Sequence, residues 1–575
     1  MPEKQVNPKA DSHPPATGWL GWWFDSKWGW LAPVLLLALG AAFFRFYLFS
    51  ENIANNDVPG YIFAAETFAL GKLKVPVPAP DHPDIRQTND EPQFFRTWMV
   101  VPNSFDDLDK NGEKYRFMYS RYSPGYPAVL FLGKMILRDY KLIPLIIVAL
   151  IAFGLHRILA LTHGRRAARW GLTLLAISPF FVAFATSLLS HGATMMCLTY
   201  AVLFHVLADK AKTAPGRALF AGAAAFMYGF VILCRPMTGA CVSLAALLWE
   251  LYRLKREGFA IILPRWLPMA LGAALPLAAL LLYNQHLTGS ALDFPFTQFW
   301  PRDKPGFTSL FTQDTEDWEP NQFREHESEF KGEDVIGSNE SRYFQFTPFD
   351  AIRNLLDVLG RFNQTLLIFP GGLLLLAVLY FYFRAYAGDY RGLHLACASL
   401  ILAGHFFYFA SGTGHHAWGP RYEFACLLPV FLLLAPLLAE ATKKLDQAVS
   451  GKFRFPLVLL LAIACAANCV TSYQGEYANQ IEVSKFRQKL HENLAETVTA
   501  PALVFLPYPV GKFSQYIGHQ HATLINSPDL HDPVIYAINN GEANRKLVNR
   551  EEFKHRHLYE ITQKGEVVPL DRKDY

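Results

Sequence analysis

Long apolar runs alternate with short charged loops along most of the chain. Runs long enough to cross about 30 Å of hydrocarbon occur near residues 30–49, 141–160, 170–189, 192–208, 216–234, 238–252, 262–283, 364–383, 393–411, 422–441 and 455–472. Each predicts a helix, because an open strand or irregular segment leaves its backbone polar groups unsatisfied in lipid. The pattern is that of a polytopic α-helical membrane protein with about 11 transmembrane helices.

Between the runs, basic residues fall on one side. With the N-terminus in the cytoplasm, the inner loops hold Arg165, Arg166, Arg169, Lys210, Lys212, Arg217, Arg253, Lys255, Arg256, Arg384, Arg391, Lys443, Lys444, Lys452 and Arg454. The short outer connections hold only Arg235 and Arg421. That bias is the one expected of cytoplasmic loops. The chain then divides into a cytoplasmic N-terminal segment (1–29), a transmembrane domain (30–472) with extracytoplasmic loops 50–140 and 284–363, and an extracytoplasmic C-terminal domain (473–575). In this last part "ALVFLPY", "ATLIN", "PVIYAI" and "VVPL" are separated by Gly, Asn and Pro and read as strands of a small α/β domain. In the first outer loop, helices near 59–71 and 124–137 are too short to span and are expected along the membrane surface.

Composition narrows the class further. At 52% hydrophobic and 18% charged residues, the chain is too apolar for an ordinary soluble protein of 575 residues. Its net charge of +4 comes without a basic tract, so no nucleic-acid partner is expected. The seven cysteines form no Cys-x-x-Cys pair, and neither a disulfide framework nor a zinc site is indicated. The polar, Pro-rich N-terminus lacks a small-residue cleavage site, so the first span is expected to stay in place. Trp22, Trp23, Trp28 and Trp30 beside it suit an interfacial belt.

With that topology, the remaining polar residues cluster at the outer ends of different spans: Asp57, His191, Arg235, Asn284, His286, Asp293, His415, His416 and Arg421. Ionisable groups at membrane depth are costly and as a rule functional. An acid, histidines and two guanidinium groups facing one outer cavity suit an anionic lipid substrate, and Tyr122 is a further candidate for its lining. Each has a plainer alternative. Asp57 precedes Val58-Pro59 and is a good N-cap for the helix beyond it. Arg235 and Arg421 are placed to snorkel to lipid headgroups. The pair His415-His416 lacks a third ligand at helical spacing, so it does not define a metal site.

Taken in order, the first span, Asp57 with "YIFAAETFALGKL", "YSPGYPAVLFLGKMI", "YNQHLTGSALDFPF" and "GPRYEFACLLP" resemble the integral-membrane glycosyltransferases of the GT-C superfamily, in particular protein O-mannosyltransferases and lipid A aminoarabinose transferases. The resemblance covers roughly residues 30–440 and is one of arrangement. It implies a GT-C-like fold, Asp57 as general base and Arg421 at the donor phosphate; Arg235, the other outer arginine of the cluster, is expected at the same phosphate. His191, His415, His416, Asn284 and Asp293 are then acceptor or cavity candidates. Many members carry two adjacent acids after the first span, whereas here Asp57 is followed by Val58.

The implied activity is inverting transfer of a sugar from a polyprenyl-phosphate donor to a hydroxyl on a glycan, lipid or protein. It is expected at the periplasmic face of a bacterial inner membrane, with membrane lipids as surroundings. No cofactor is expected, and a divalent metal is not indicated by the sequence. Two other classes fit less well: a lipid-linked oligosaccharide ligase or polymerase, which relies on Arg and His without an acid by the first span, and a non-enzymatic transporter, which needs a matching polar cavity at the inner ends.

Overall fold

The computed structural model describes residues 28–48, 57–76, 99–100, 107–108, 114–115, 117–299, 305–307, 346–368, 370–408, 415–416, 419–448, 478, 481–507, 526–539 and 541–574. The chain enters through α1 (Leu31–Ala42), which continues as a π-helical turn over Phe43–Leu48. Asp57 then opens α2 (Val58–Ala69). Short strands follow: β1 (Val75–Pro76), β2 (Met99–Val100), β3 (Asp107–Leu108), β4 (Lys114–Tyr115) and β5 (Phe117–Ser120). β5 is central in the sheet β1-β5-β2, and β3 pairs with β4. The helices α3 (Gly125–Leu137), α4 (Ile143–Thr162), α5 (Arg165–Ala176), α6 (Pro179–Thr186), α7 (Ser190–Lys210), α8 (Ala214–Cys234), α9 (Pro236–Glu257) and α10 (Phe259–Thr288) come next. After α11 (Pro295–Phe299) the described bundle resumes with α12 (Pro348–Thr365), α13 (Gly372–Phe383), α14 (Arg391–Phe406), the hairpin β6 (His415–His416) with β7 (Gly419–Pro420), and α15 (Leu427–Ala448).

The helix boundaries follow local chemistry. Ser178 and Thr213 accept from Phe181 N and Gly216 N at the starts of α6 and α8, each with Pro in the first turn. Thr347 and Asp350 form a reciprocal capping box on α12. One apolar core runs through the bundle, with Leu155, Leu174, Leu198, Phe431 and Leu434 fully buried.

Six described helices are long and apolar enough to cross a membrane, or seven if one bent pair is a single span. This is fewer than the eleven runs, for visible reasons: the run at 238–252 lies in α9, where Glu250 and Arg253 interrupt the apolar stretch. The run at 170–189 is broken by 70° between α5 and α6, where Ser178-Pro179 starts a new helix. The runs near 364–383 and 393–411 form the shorter helices α13 and α14. The run at 455–472 lies outside the described residues.

Toward the C-terminus, α16 (481–497) packs on a four-stranded sheet ordered β11-β10-β8-β9. Its strands are β8 (Ala502–Leu506), β9 (Val534–Ile538), β10 (His557–Ile561) and β11 (Val567–Leu570). β8 runs parallel to both neighbours, with Leu503 opposite Ile535 and Leu558. That explains why "ALVFL" is apolar without alternation: Val504 faces Leu490 and Leu494 of α16, and Leu503 and Phe505 face Leu547, Val548 and Phe553. Leu547 and Val548 belong to α17 (Asn544–Val548). Ser484 Oγ donates to Tyr47 O at 3.1 Å and ties α16 to the end of the first span.

Candidate active site

Asp57 follows the first span, yet it does not cap α2: its side chain makes no capping hydrogen bond. Its oxygens are occupied elsewhere. Oδ1 accepts from Arg121 Nη2 at 3.1 Å and from the Tyr122 hydroxyl at 2.8 Å, and Oδ2 accepts from Arg421 Nη1 at 3.3 Å. The capping alternative therefore fails, and a residue just after the first span is joined to one at the start of a late helix.

Each partner is delivered by a defined element. β5 is buried throughout and runs directly into Arg121 and Tyr122. Tyr283, near the end of α10, donates its hydroxyl to Tyr122 O at 3.2 Å. The hairpin β6–β7, with His416 opposite Gly419, leads into Arg421. Gly60 lets the Tyr122 ring lie against α2, because a Cβ there would stand 2.6 Å from a ring carbon. Gly125 similarly admits α3 against the end of α8, where a Cβ would meet Leu233 backbone at 2.6 Å. Gly60→Ala is thus expected to displace Tyr122 from Asp57 and to cost ~1–3 kcal/mol of stability, as overpacking does. Thermal unfolding alongside turnover checks this, and an unchanged melting temperature would contradict it.

Further polar contacts extend from α7 and the end of α8. Arg235, at the α8–α9 junction, donates to Ser190 Oγ at 3.4 Å and lies 3.1 Å from His191 Nε2. Ser190 Oγ in turn is 3.1 Å from the Tyr61 hydroxyl. The Arg421 and Arg235 guanidinium groups lie over the Tyr422 ring, at 4.8 and 5.5 Å. Arg121 lies 5.0 Å over Phe296 of α11. Three guanidinium groups thus gather about one carboxylate, a surplus of two positive charges among those four side chains.

Burial acts to raise the Asp57 carboxyl, but Arg421, Arg121 and the Tyr122 hydroxyl overcome it and hold the group below its ordinary value. Burial, together with Asp57, pushes the Tyr61 phenol up to about 12. Tyr61 is therefore protonated at neutral pH.

Of the residues singled out from the sequence, Asp57, Tyr122 and Arg421 meet directly, and Arg235 and His191 adjoin them. Asn284 does not join them in the described contacts: its Nδ2 donates to Ala291 O at 3.2 Å, closing the turn after α10. Asp293 is exposed and contributes its backbone carbonyl to Thr288 Oγ1. His415 and His416 are placed as backbone in β6, and their side chains lie outside the described residues. Among the described residues no three His, Cys, Asp or Glu side chains gather as metal ligands.

Arg121 is a site residue that the sequence reading does not single out, although "YSRYSPGYP" sets it between aromatic residues immediately before α3.

At the far end of α7, about 30 Å away for 21 residues, the charges are of another kind. Asp209 accepts from Arg253 at 2.8 Å and Tyr390 at 2.6 Å and also pairs with Arg265, which locks α7, α9, α10 and the start of α14 together. Within that cluster Asp209, Glu250 and Glu257 outnumber Arg253 and Arg265, whereas around Asp57 the guanidinium groups outnumber the carboxylate.

A protein-family profile for a domain of unknown function, DUF7846, matches residues 502–575. No curated protein matches the chain. The structure is similar to ArnT from Cupriavidus metallidurans bound to undecaprenyl phosphate, over 93% of each chain at 12% identity and a TM-score of 0.50. It is also similar to the apo oligosaccharyltransferase of Archaeoglobus fulgidus, at 13% identity and a TM-score of 0.46, over 91% of this chain and 66% of that one. This chain thus spans just under two thirds of the archaeal protein's length. From its similarity to ArnT along nearly the whole of both chains, the protein shares the ArnT fold.

Proposed function

We propose that the chain is an inverting glycosyltransferase that moves a sugar from a polyprenyl-monophosphate donor to an acceptor hydroxyl at the extracytoplasmic membrane surface. The observation that carries this reading is Asp57 held by Arg121, Tyr122 and Arg421 with Arg235 close by. Forked guanidinium donors suit a phosphate that gains charge as it leaves. A similarly folded protein, ArnT, is described as binding undecaprenyl phosphate, which is such a carrier. An apolar cleft of about 830 Å³ between α2, α3, α8 and α10 offers room for a lipid chain beside Tyr283. A bacterial inner membrane is the setting that fits a donor delivered without nucleotide.

The chemistry is one displacement. The acceptor oxygen forms a bond to the anomeric carbon while the carbon–oxygen bond to phosphate breaks, and the phosphomonoester departs with the electron pair. The hydroxyl proton passes to Asp57. With its oxygens engaged by arginines, Asp57 is a weak base. A bound donor phosphate competes for those same guanidinium groups, which frees the carboxylate and restores its basicity. Donor binding therefore activates the base.

This ordering has a pH signature. Deprotonated Asp57 is the active form, so activity falls as pH drops through its pKa. In free enzyme that pKa is depressed by the arginines, so the acid limb of kcat/KM is expected below the ordinary carboxylate range. The acid limb of kcat, which reports the donor-bound form, is expected at higher pH. Paired pH profiles of the two constants check this, and the reverse order would rule out activation by donor binding.

The function itself is tested by incubating the purified protein in lipid with a panel of polyprenyl-phosphate sugars and crude acceptor membranes. Consumption of one donor with release of polyprenyl phosphate is the expected result, and no consumption of any donor would overturn the reading.

A further inference from the structure

Two buried groups beside the cradle take no part in this displacement. Glu423 lies two residues beyond Arg421 and is 1% exposed. Neither of its carboxylate oxygens hydrogen-bonds another described residue. His405, on α14 and also buried, places Nδ1 3.5 Å from Glu423 Oε1, and that nitrogen likewise lacks a hydrogen-bond partner. Burying an acid and an imidazole with so little hydrogen bonding is costly, and such groups at membrane depth are kept as a rule for function.

Their surroundings indicate which function. Arg235 is the cradle arginine that, among the described residues, has no carboxylate within ion-pair distance, and its hydrogen bonds go to Ser190 and His191. Tyr422, which underlies Arg235 and Arg421, has its ring centre 6.3 Å from that of His405. Other titratable neighbours are Cys426 on the same turn and, across Phe424, His191 on α7.

We propose that Glu423 and His405 form a proton-accepting dyad that sets how strongly Arg235 holds a phosphate bound in the cradle. This rests on the donor-phosphate reading above. With one proton between them the pair has no net charge and leaves Arg235 to the phosphate. Without that proton the pair carries a negative charge and competes for the same guanidinium. Phosphate binding and proton uptake from solvent are then linked, each favouring the other. Transfer converts a phosphodiester donor into a phosphomonoester with a second ionisable oxygen. The dyad meets the added charge with a proton and loosens the product when it gives that proton back. Glu423 and His405 are thus positioning residues that act through Arg235.

The test is calorimetric titration of the full-length protein in lipid nanodiscs with farnesyl phosphate, in two buffers of different ionisation enthalpy, to count protons taken up per ligand bound. Wild type is expected to take up more protons than Glu423→Gln or His405→Gln. Its affinity is expected to fall ~10-fold relative to Glu423→Gln, whose side chain is permanently neutral, as pH rises from about 6 to about 8. Equal uptake in wild type and in both variants, each shown folded by its thermal transition, would make the pair structural and overturn the proposal. Should wild type bind no farnesyl phosphate at any pH, the donor-phosphate reading itself fails, and the dyad's role falls with it.

Discussion

Asp57→Asn is expected to lower turnover by ~10²–10⁴-fold, the range over which a positioned general base contributes, while donor binding is kept or strengthened. The two halves of this result come from the same geometry. Asn keeps the shape of the side chain but cannot take a proton from the acceptor. It also ends the competition between a carboxylate and the donor phosphate for Arg421 and Arg121, which now reach Asp57 at 3.3 and 3.1 Å. Loss of the carboxylate raises the surplus positive charge among the four cradle side chains, so an anionic donor gains attraction. Measuring donor binding and transfer on the same preparation separates the cases. Loss of both with a lowered melting temperature would mean that Asp57 serves mainly to pair the arginines. Unchanged transfer would remove the base from the mechanism and favour a lipid-linked oligosaccharide ligase.

How much of this site was legible beforehand depended on what each signal encodes. Hydropathy finds segments that must leave water, and it located most described helices of the bundle. It does not say where a run breaks, and the bend between α5 and α6 is encoded instead by Ser178-Pro179 within an otherwise apolar stretch. The alternation of helices predicts which residues share an end of the bundle. This brought Asp57, Tyr122, Arg235 and Arg421 into one group, and the structure joins them. It does not predict which way a side chain turns at that end. Asn284 was therefore grouped with Asp57, although its Nδ2 closes the turn after α10. Arg121 was passed over for a related reason: a charge in a polar loop is ordinary until a strand such as β5 aims it. Glu423 carried a clearer signal. It is an acid at the head of "FACLLPVFLLLAPLLAE", where the cost of burial makes any ionisable group informative.

Arg421→Ala is expected to reduce kcat/KM by ~10²–10³-fold, the scale for removing one preorganised donor to a developing oxyanion. Its effect should fall on both donor affinity and kcat, since the phosphate is anionic before transfer and more so afterwards. The structure ranks the arginines. Arg421 reaches Asp57 from the turn that opens α15, with its guanidinium braced over Tyr422 and donating to that phenol at 2.9 Å. Arg235 meets the cradle from farther off, through Ser190 and His191. Arg421→Lys keeps the charge but loses the fork and the stacking on Tyr422, so it is expected to recover only part of the activity. A Lys variant equal to wild type would show that charge alone is required. An Ala variant with unaltered donor affinity would remove Arg421 from the phosphate subsite and transfer its role to Arg121, the other guanidinium in direct contact with Asp57.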